Sequence, residues 1–581
     1  MKIKIKIENL IRESLRSLQL EEVDFVVEHP ADFKMGDYST NIAMILAKKQ
    51  GESPKDIAEK ILAEMSEDTF YDLGGDIEKV VFASAGFINF FLTKEFFQKS
   101  IDQIVESKNG DKNFGENDIF AGKKVMVEYT DPNPFKPFHI GHLMNNTIGE
   151  SISRIIEFSG AETIRANYQG DVGLHVAKAI WGLQKNPDLQ ESDDSTVELK
   201  ALKIGKAYSL GAEAYEDDSK LETKKEINEI NKKVYHKNDE KINEIYNWGK
   251  KVTLEAFEKI YEMLGTKFDH YFFESEMVPI GISAIKENTP EVFEESDGAI
   301  VFKGEKYDPK LHTRVFINSE GLPTYEAKDI GLTITKFKKI NPDISITITA
   351  TEQADYMRVV QKAISLIHPD YELRMKHVTH GMLRFVEGKM SSRKGNIVTG
   401  ESLLNDVRNL VYEKMIDRNF SEEEKESIAR DVGVAALKYS ILKQSSGSDI
   451  IYDFEKSISF EGDSGPYLQY SYTRANSILE KAETENMSSG FKTLPSEIVE
   501  IEKLLYRFPE VVLRSAKELE PHYIANYLIE IARAFNSFYG NNKILDKGDK
   551  HSPYRVAICE AFSVVMKNGL YLLGVKAPER M

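Results

Sequence analysis

The sequence predicts an α/β protein: a split, parallel, doubly wound sheet with a helical insertion, preceded by a smaller α+β domain and followed by an all-α bundle. Three observations carry this expectation. Two strand–loop–helix–strand patterns lie far apart in the chain, the stretch between them is charged and helical, and the last third shows helical spacing without strand-like alternation. A chain of 581 residues also exceeds what one hydrophobic core organises, and its length corresponds to roughly three to five domains.

Residues 1–115 mix helical periodicity with short alternating runs such as KVVFASAGFINFFL and end in the polar loop SKNGDKNFGEND, which predicts a separate N-terminal α+β domain. The next domain spans 116–400. In it KKVMVEYT (123–130) reads as a buried strand, a Pro-rich loop follows, and apolar residues recur at helical spacing from 141 to 158 until Gly160 stops the helix. TIRANYQ is a second strand, so the segment is a βαβ unit with a right-handed crossover. From about 185 to 263 the chain becomes a charged helical insertion, centred on KLETKKEINEINKKVYHKNDEKINEIYNWGKK; mixed charge is what solvated helix faces carry, so it is assigned no chemistry. The second unit has a helix from about 325, the strand DISITITAT (343–351), a helix over 353–368 and the strand KHVTHG. Residues 401–581 are expected to form a helical bundle, with segments such as HYIANYLIEIARAFNSFYG.

Composition bounds the function. Hydrophobic residues at 41% and charged residues at 29% suit a folded globular chain, and no stretch of about eighteen apolar residues offers a membrane span. The lone Cys559 can form neither an internal disulfide nor a thiolate metal cluster; it reads as a small core residue of a protein in a reducing compartment, so a cytoplasmic location is expected. The net charge of -18 argues against indiscriminate nucleic-acid binding without excluding a local basic groove.

Two short segments carry the chemistry. DPNPFKPFHIGHLMNN sets His139 and His142 around Gly141 at the start of a helix, where free N–H groups, the dipole and two imidazoles can receive a polyphosphate, and where a residue without Cβ lets a flat purine approach. Taken alone, two histidines hydrogen-bonded at a helix cap explain the same letters. VEGKMSSRKGNIV clusters Lys389, Arg393 and Lys394 with Met390, Ser391, Ser392 and Gly395 just past a sheet strand, where open α/β folds bind their ligands.

Together, H-I-G-H and K-M-S-S-R resemble the two ATP-binding motifs of class I aminoacyl-tRNA synthetases. The resemblance implies a Rossmann-like catalytic domain in which the carboxylate of an amino acid attacks the α-phosphate of ATP, giving an aminoacyl-adenylate whose acyl group passes to the terminal ribose of tRNA. It implies catalytic roles for His139, His142 and Lys389, and ATP contacts from His139, Gly141, His142, Met390, Ser391, Ser392 and Arg393, with Mg2+ as the counter-ion of ATP. One departure stands out: the family's second loop usually carries lysine where this sequence has Ser392. Lys136, three residues before His139, matches a lysine that arginyl enzymes often carry and that is proposed to take over that role.

From about Gly36 to Met581, the charged insertion apart, the chain resembles the arginyl branch. Guanidinium is planar with five donors and needs carboxylates plus a hydroxyl or amide. Glu128 in VEYTDPN, with Tyr325 and Asp329 four apart in TYEAKD, supplies that chemistry, and the resemblance gives Asn133 and Gln353 the α-ammonium end of L-arginine. EGDSGPYLQYSYTRANSIL and GLYLLGVKAPERM resemble the anticodon-binding domain of arginyl enzymes, with Asn536 and Tyr539 as candidate contacts to unpaired bases. GDYSTNIAMILAK and AGFINFFL resemble the extra domain that touches the outer corner of tRNA, with Phe87 and Asn89 as candidates. The family generally requires bound tRNA before it activates arginine. A monomer without membrane contact is expected. Three alternatives lead elsewhere: a cysteinyl enzyme lacks its zinc site here, a nucleotidylyltransferase leaves the C-terminal helices unexplained, and a non-catalytic relative would be expected to have lost the histidines or the carboxylates.

Overall fold

A computed structural model describes residues 2–65, 75–83, 86–190, 196–386 and 399–581. At its centre is a five-stranded parallel sheet in the order Met375–His380, Ile344–Ala350, Lys124–Glu128, Glu162–Gln169, His270–Phe273. The chain starts in the middle strand, builds outward through Glu162–Gln169 and His270–Phe273, then returns to the other side of the middle strand. The reversal between Lys124–Glu128 and Ile344–Ala350 opens a crevice at the carboxyl ends of these strands, the place where such sheets bind ligands.

Alternation assigns the two faces. Val125 and Val127 of the middle strand join Ile346 and Ile348 under the helix Ile140–Phe158, while Met126 belongs to a separate cluster on the opposite face with Ala166, Phe272, Met277 and Leu332. Glu128 therefore emerges on the second face at the end of its strand, level with Thr347 and Ala166 of its neighbours.

The strands at 124–128, 162–169, 344–350 and 375–380 fall where the sequence puts them. His270–Phe273 was not expected, because four residues are too few to show a period. Three further strands, Glu294–Ser296, Ala299–Lys303 and Thr313–Ile317, form an antiparallel sheet that the sequence reading passed over. The insertion comprises Leu174–Lys185, Val197–Glu216, Leu221–His236 and Glu240–Leu264. It is more than a solvated surface: Ile204, Ile227, Ile230 and Val252 enclose Phe135 of the motif loop.

The C-terminal region is built from Gly400–Met415, Glu422–Leu442, Gly465–Thr484, His522–Asn541 and Ser552–Leu572 among others, and its core is continuous with that beneath Ile140–Phe158. It is not wholly helical, since Ile450–Tyr452 pairs in parallel with Leu383–Phe385. The N-terminal segment folds Lys2–Ser17, Ile42–Gln50 and Pro54–Glu64 against a four-stranded antiparallel sheet around its own core. It meets the C-terminal helices through Tyr38, whose hydroxyl donates to Glu510 at 2.6 Å, and through Lys503, which donates to Asp37 at 3.3 Å. Cys559 is fully buried, as its reading as a core residue requires. Among the described residues no helix is long and apolar enough to cross a membrane.

Candidate active site

The loop after the middle strand is strained. Thr130, Asp131 and Phe135 have φ of 80°, 45° and 69°, a left-handed conformation that residues with a Cβ seldom adopt and that persists only where the surroundings over-determine it. The surroundings are on the next helix. Asn145 accepts from Thr130 N at 2.9 Å while donating to Ile348 O at 2.7 Å, and Asn146 donates to the Thr130 hydroxyl at 3.0 Å. Tyr168 N donates to the Asp131 carboxylate at 2.7 Å. Phe135, clamped by the insertion, completes the anchorage.

His139 is the N-cap of Ile140–Phe158. Its Nδ1 accepts from His142 N at 3.3 Å, and the Nδ1 of His142 accepts from His139 N at 3.3 Å, so each imidazole caps the other's backbone and the rings stack with centroids 3.5 Å apart. An acceptor Nδ1 leaves the proton on Nε2. Burial lowers the pKa of both rings, helped by the charge of Lys136 and, for His142, by its neighbour. The pair is therefore neutral, with two Nε2–H donors at a helix N-terminus. Gly141 serves the cap directly: a Cβ there would stand 3.0 Å from the His139 ring. The cap raised by the sequence is therefore present, and it fixes the tautomer that leaves both Nε2–H groups as donors.

Lys136 is partly buried, with its Nζ 5.3 Å from the centre of the Tyr208 ring, and burial with the charge of Lys178 lowers its pKa. Lys389, Met390, Ser391, Ser392 and Arg393 lie outside the described residues. The segments flanking them are tied down: Val386 N donates to Tyr452 O at 3.4 Å, and Gly400 N donates to Phe138 O at 2.7 Å, next to the paired histidines.

Beside this loop a cavity of about 370 Å³ is lined by Glu128, Asp131, Asn133, Glu274, Tyr325, Asp329 and Gln353, among others. All five residues the sequence assigned to arginine are brought together there. Gly170 makes room for Asn133, whose carbonyl oxygen would stand 2.1 Å from a Cβ at that position. His175, held neutral by burial with a pKa near about 3, donates from Nε2 to Gly170 O at 2.7 Å and fixes the loop. Tyr325 stands at the rim, 61% exposed, with Lys328 Nζ 4.7 Å from its ring centre.

The charge balance of the cavity is uneven. Glu128 is ion-paired with Lys336, and Glu274 with Lys328 at 2.6 Å. Asp131 and Asp329 have no cation partner among the described residues; Asp131 accepts from Tyr168 N and Asp329 from the Tyr356 hydroxyl. Burial, with the charge of Glu128, raises the pKa of Asp131 well above the usual range. Asp329 is pushed up to about 7 by burial and by Glu128 and Glu274, against the opposing hydrogen bond from Tyr356. Two partly buried carboxylates thus stand in the cavity without an ion pair among the described residues. Asp131, Tyr168, Glu274, Lys328, Lys336 and Tyr356 escaped the sequence reading, although Asp131 stands inside VEYTDPN and its neighbour in that motif was already singled out.

The candidate RNA contacts lie elsewhere. Asn536 is occupied within the fold, donating to the Tyr467 hydroxyl at 3.0 Å and Ser471 Oγ at 2.8 Å and accepting from Arg474. Tyr539 is 42% exposed, and the Arg474 guanidinium lies 4.9 Å from its ring centre and 4.6 Å from that of Tyr470. Asn89 is buried and accepts from Ser39 Oγ at 2.7 Å, which leaves Phe87, half-buried, as the accessible member of that pair.

Three family models match the chain: the catalytic domain of class I (R) tRNA synthetases over residues 100–454, the DALR anticodon binding domain over 468–581, and the arginyl tRNA synthetase N terminal domain over 5–92. The arginine–tRNA ligase of Halothermothrix orenii is 31% identical over 588 aligned residues, covering 100% of this chain and 99% of the relative. That of Clostridium perfringens is 31% identical, covering 97% of each. The solved arginyl-tRNA synthetase of Thermus thermophilus has the same fold, with a TM-score of 0.80 at 24% identity over 99% of both chains, and that of Plasmodium falciparum follows at 0.78 and 23%.

Proposed function

Because the chain belongs to the arginyl-tRNA synthetase family and joins arginine to tRNA at the expense of ATP, we propose how its own residues divide that work. The guanidinium of L-arginine lies between Asp329 and Glu128 under the Tyr325 hydroxyl, and Asn133 and Gln353 hold the α-ammonium end. The observation that carries this assignment is a pair of partly buried carboxylates, Asp131 and Asp329, without an ion pair among the described residues, in a cavity that already contains every predicted arginine ligand. Arginine brings two cationic groups to this cavity, guanidinium and α-ammonium; a neutral or acidic amino acid brings the ammonium alone.

ATP lies across the start of Ile140–Phe158, with the Nε2–H groups of His139 and His142 donating to its phosphates as charge builds in the transition state. An oxygen of the arginine carboxylate attacks the α-phosphorus, the bond to the β-phosphate bridging oxygen breaks, and pyrophosphate leaves. The tRNA ribose hydroxyl then attacks the carbonyl carbon of the adenylate and AMP departs. Lys389, Met390, Ser391, Ser392 and Arg393 complete the phosphate site, and Lys136 supplies the cation that Ser392 does not. Positioning and charge stabilisation do the work, with no covalent enzyme intermediate. Mg2+ enters as the counter-ion of the ATP phosphates.

The functional division follows 1–115 for the outer corner of the tRNA, 116–400 for chemistry and 401–581 for the anticodon, in a monomeric cytoplasmic enzyme. Phe87 touches the tRNA directly and Asn89 shapes the strand beneath it. Tyr539 offers a stacking face, and Asn536 orients Arg474 beside it. Arginine activation waits for bound tRNA.

Exchange of pyrophosphate into ATP, run with all twenty amino acids and with or without total tRNA, tests this reading. Signal for arginine alone, and only with tRNA, is expected. Equal signal without tRNA removes the tRNA requirement, and signal for another amino acid removes the pocket assignment.

A further inference from the structure

The strand Ile344–Ala350 lies inside a parallel sheet covered by helices on both faces, where both faces of a strand are ordinarily apolar. Only one is. Ile346 and Ile348 are buried against Ile140–Phe158, whereas Ser345, Thr347 and Thr349 present three hydroxyl residues to the other side. Thr347 is partly exposed despite strands on both flanks, and Thr333, on the helix Tyr325–Lys339 above it, is partly exposed as well. Open space separates the two walls.

That space belongs to the arginine cavity, which runs from Asn133 and Gln353 at the carboxyl end of the sheet down to Ser345, Met375 and Lys376 at the opposite end. Glu128 is level with Thr347, and Ser345 lies two residues below it, about 7 Å further down at the rise of a strand. The lower chamber has a mixed lining: Ser345, Thr347 and Gln361 are polar, Leu332, Val360 and Ile364 are apolar, and two cations, Lys336 paired with Glu128 and Lys376, stand beside them. No carboxylate lines it below the level of Glu128.

We infer that this chamber admits an alkyl substituent on a terminal guanidino nitrogen, so that the enzyme activates Nω-alkylated arginines. The inference rests on the proposed guanidinium position. With Asp329 on the helix side and Glu128 on the sheet side, the guanidinium spends its paired hydrogen bonds on the two flanks, and one terminal nitrogen faces down the chamber toward hydroxyls and aliphatic side chains. A methyl group there forfeits no ion pair. It packs against Leu332, Val360 and Ile364, which a shallow guanidinium pocket would not provide.

The test compares L-arginine with Nω-methyl-L-arginine and Nω-propyl-L-arginine in tRNA-supported pyrophosphate exchange. For the wild type, kcat/KM for the methyl compound is expected within about tenfold of that for arginine, because a tolerated methyl group costs little in a pocket with room for it. Ser345→Leu, which fills the chamber from the sheet side, should lower the ratio of methylated to free arginine by about 100-fold. Thr333→Leu fills it from the helix side and serves if the first variant does not fold. Rejection of the methyl compound by more than about 100-fold in the wild type overturns the inference, as does a filled variant that lowers both substrates equally. If arginine is activated and Asp329→Asn abolishes this while the analogues are refused, the chamber fails and the pocket assignment stands; if arginine itself gives no exchange, both fall.

Discussion

At one end of the cleft His139 and His142 cap each other at a helix N-terminus; at the other, Glu128, Asp131, Glu274 and Asp329 crowd around a cavity with two lysines for four carboxylates. Burial acts on both ends, and the outcome differs because the titrating groups differ. Desolvation disfavours charge, so it lowers the imidazoles and raises the carboxyls. The first change makes permanent neutral donors for an anion. The second makes acids whose ionisation a bound cation favours. On the proposed assignment, the phosphate end is ready before its ligand binds, and the arginine end is completed by it.

The largest expected effect tests the acidic end. Asp329→Asn keeps the shape and the acceptor for Tyr356 but removes the charge, and kcat/KM for arginine should fall on the order of 1,000-fold, the scale of about 4 kcal/mol for losing one partner of a buried charge pair. Most of the loss should appear in arginine KM, measured in aminoacylation with tRNA saturating. A change below about tenfold would mean the guanidinium sits elsewhere.

A smaller effect tests the neutral end. Asparagine is a good N-cap, so His139→Asn retains the cap and removes the Nε2–H donor. We expect kcat to fall about 100-fold with the melting temperature and arginine KM unchanged. A variant that melts early and regains activity on cooling would show that capping was all the histidine did.

How much of this was legible before the fold was known follows the same division. The histidines are three residues apart and announce themselves at a helix start; Tyr325 and Asp329 share a helix face at four-residue spacing, and the two βαβ units are long enough to show their periods. The charge compensation was not readable. Lys328 meets Glu274 across 54 positions, and Lys336 reaches back to the strand that ends in Glu128, so neither pairing leaves a local signal. Phe135 was likewise silent, because its role is to be enclosed by insertion helices whose sequence advertises only their charged outer faces. The strand His270–Phe273 was too short to speak.

The same contrast has a consequence in pH. Asp329 is held near about 7 in the free protein, above its value in an unfolded chain, so ionising it costs stability as the pH rises from about 4 toward 7. Bound arginine reverses the sign, because its positive charge favours the ionised carboxylate and brings the pKa back down. Affinity therefore depends on how much of Asp329 is already ionised. Arginine KM should be level above about pH 7 and rise by up to about tenfold per unit below it. Burial moves the histidines the other way, lowering both. Asp329→Asn should flatten the rise in KM. A KM that stays constant from about pH 5.5 to 8.5 in the wild type would show that Asp329 is ionised without its ligand, and the acidic end would then be as preformed as the histidine end.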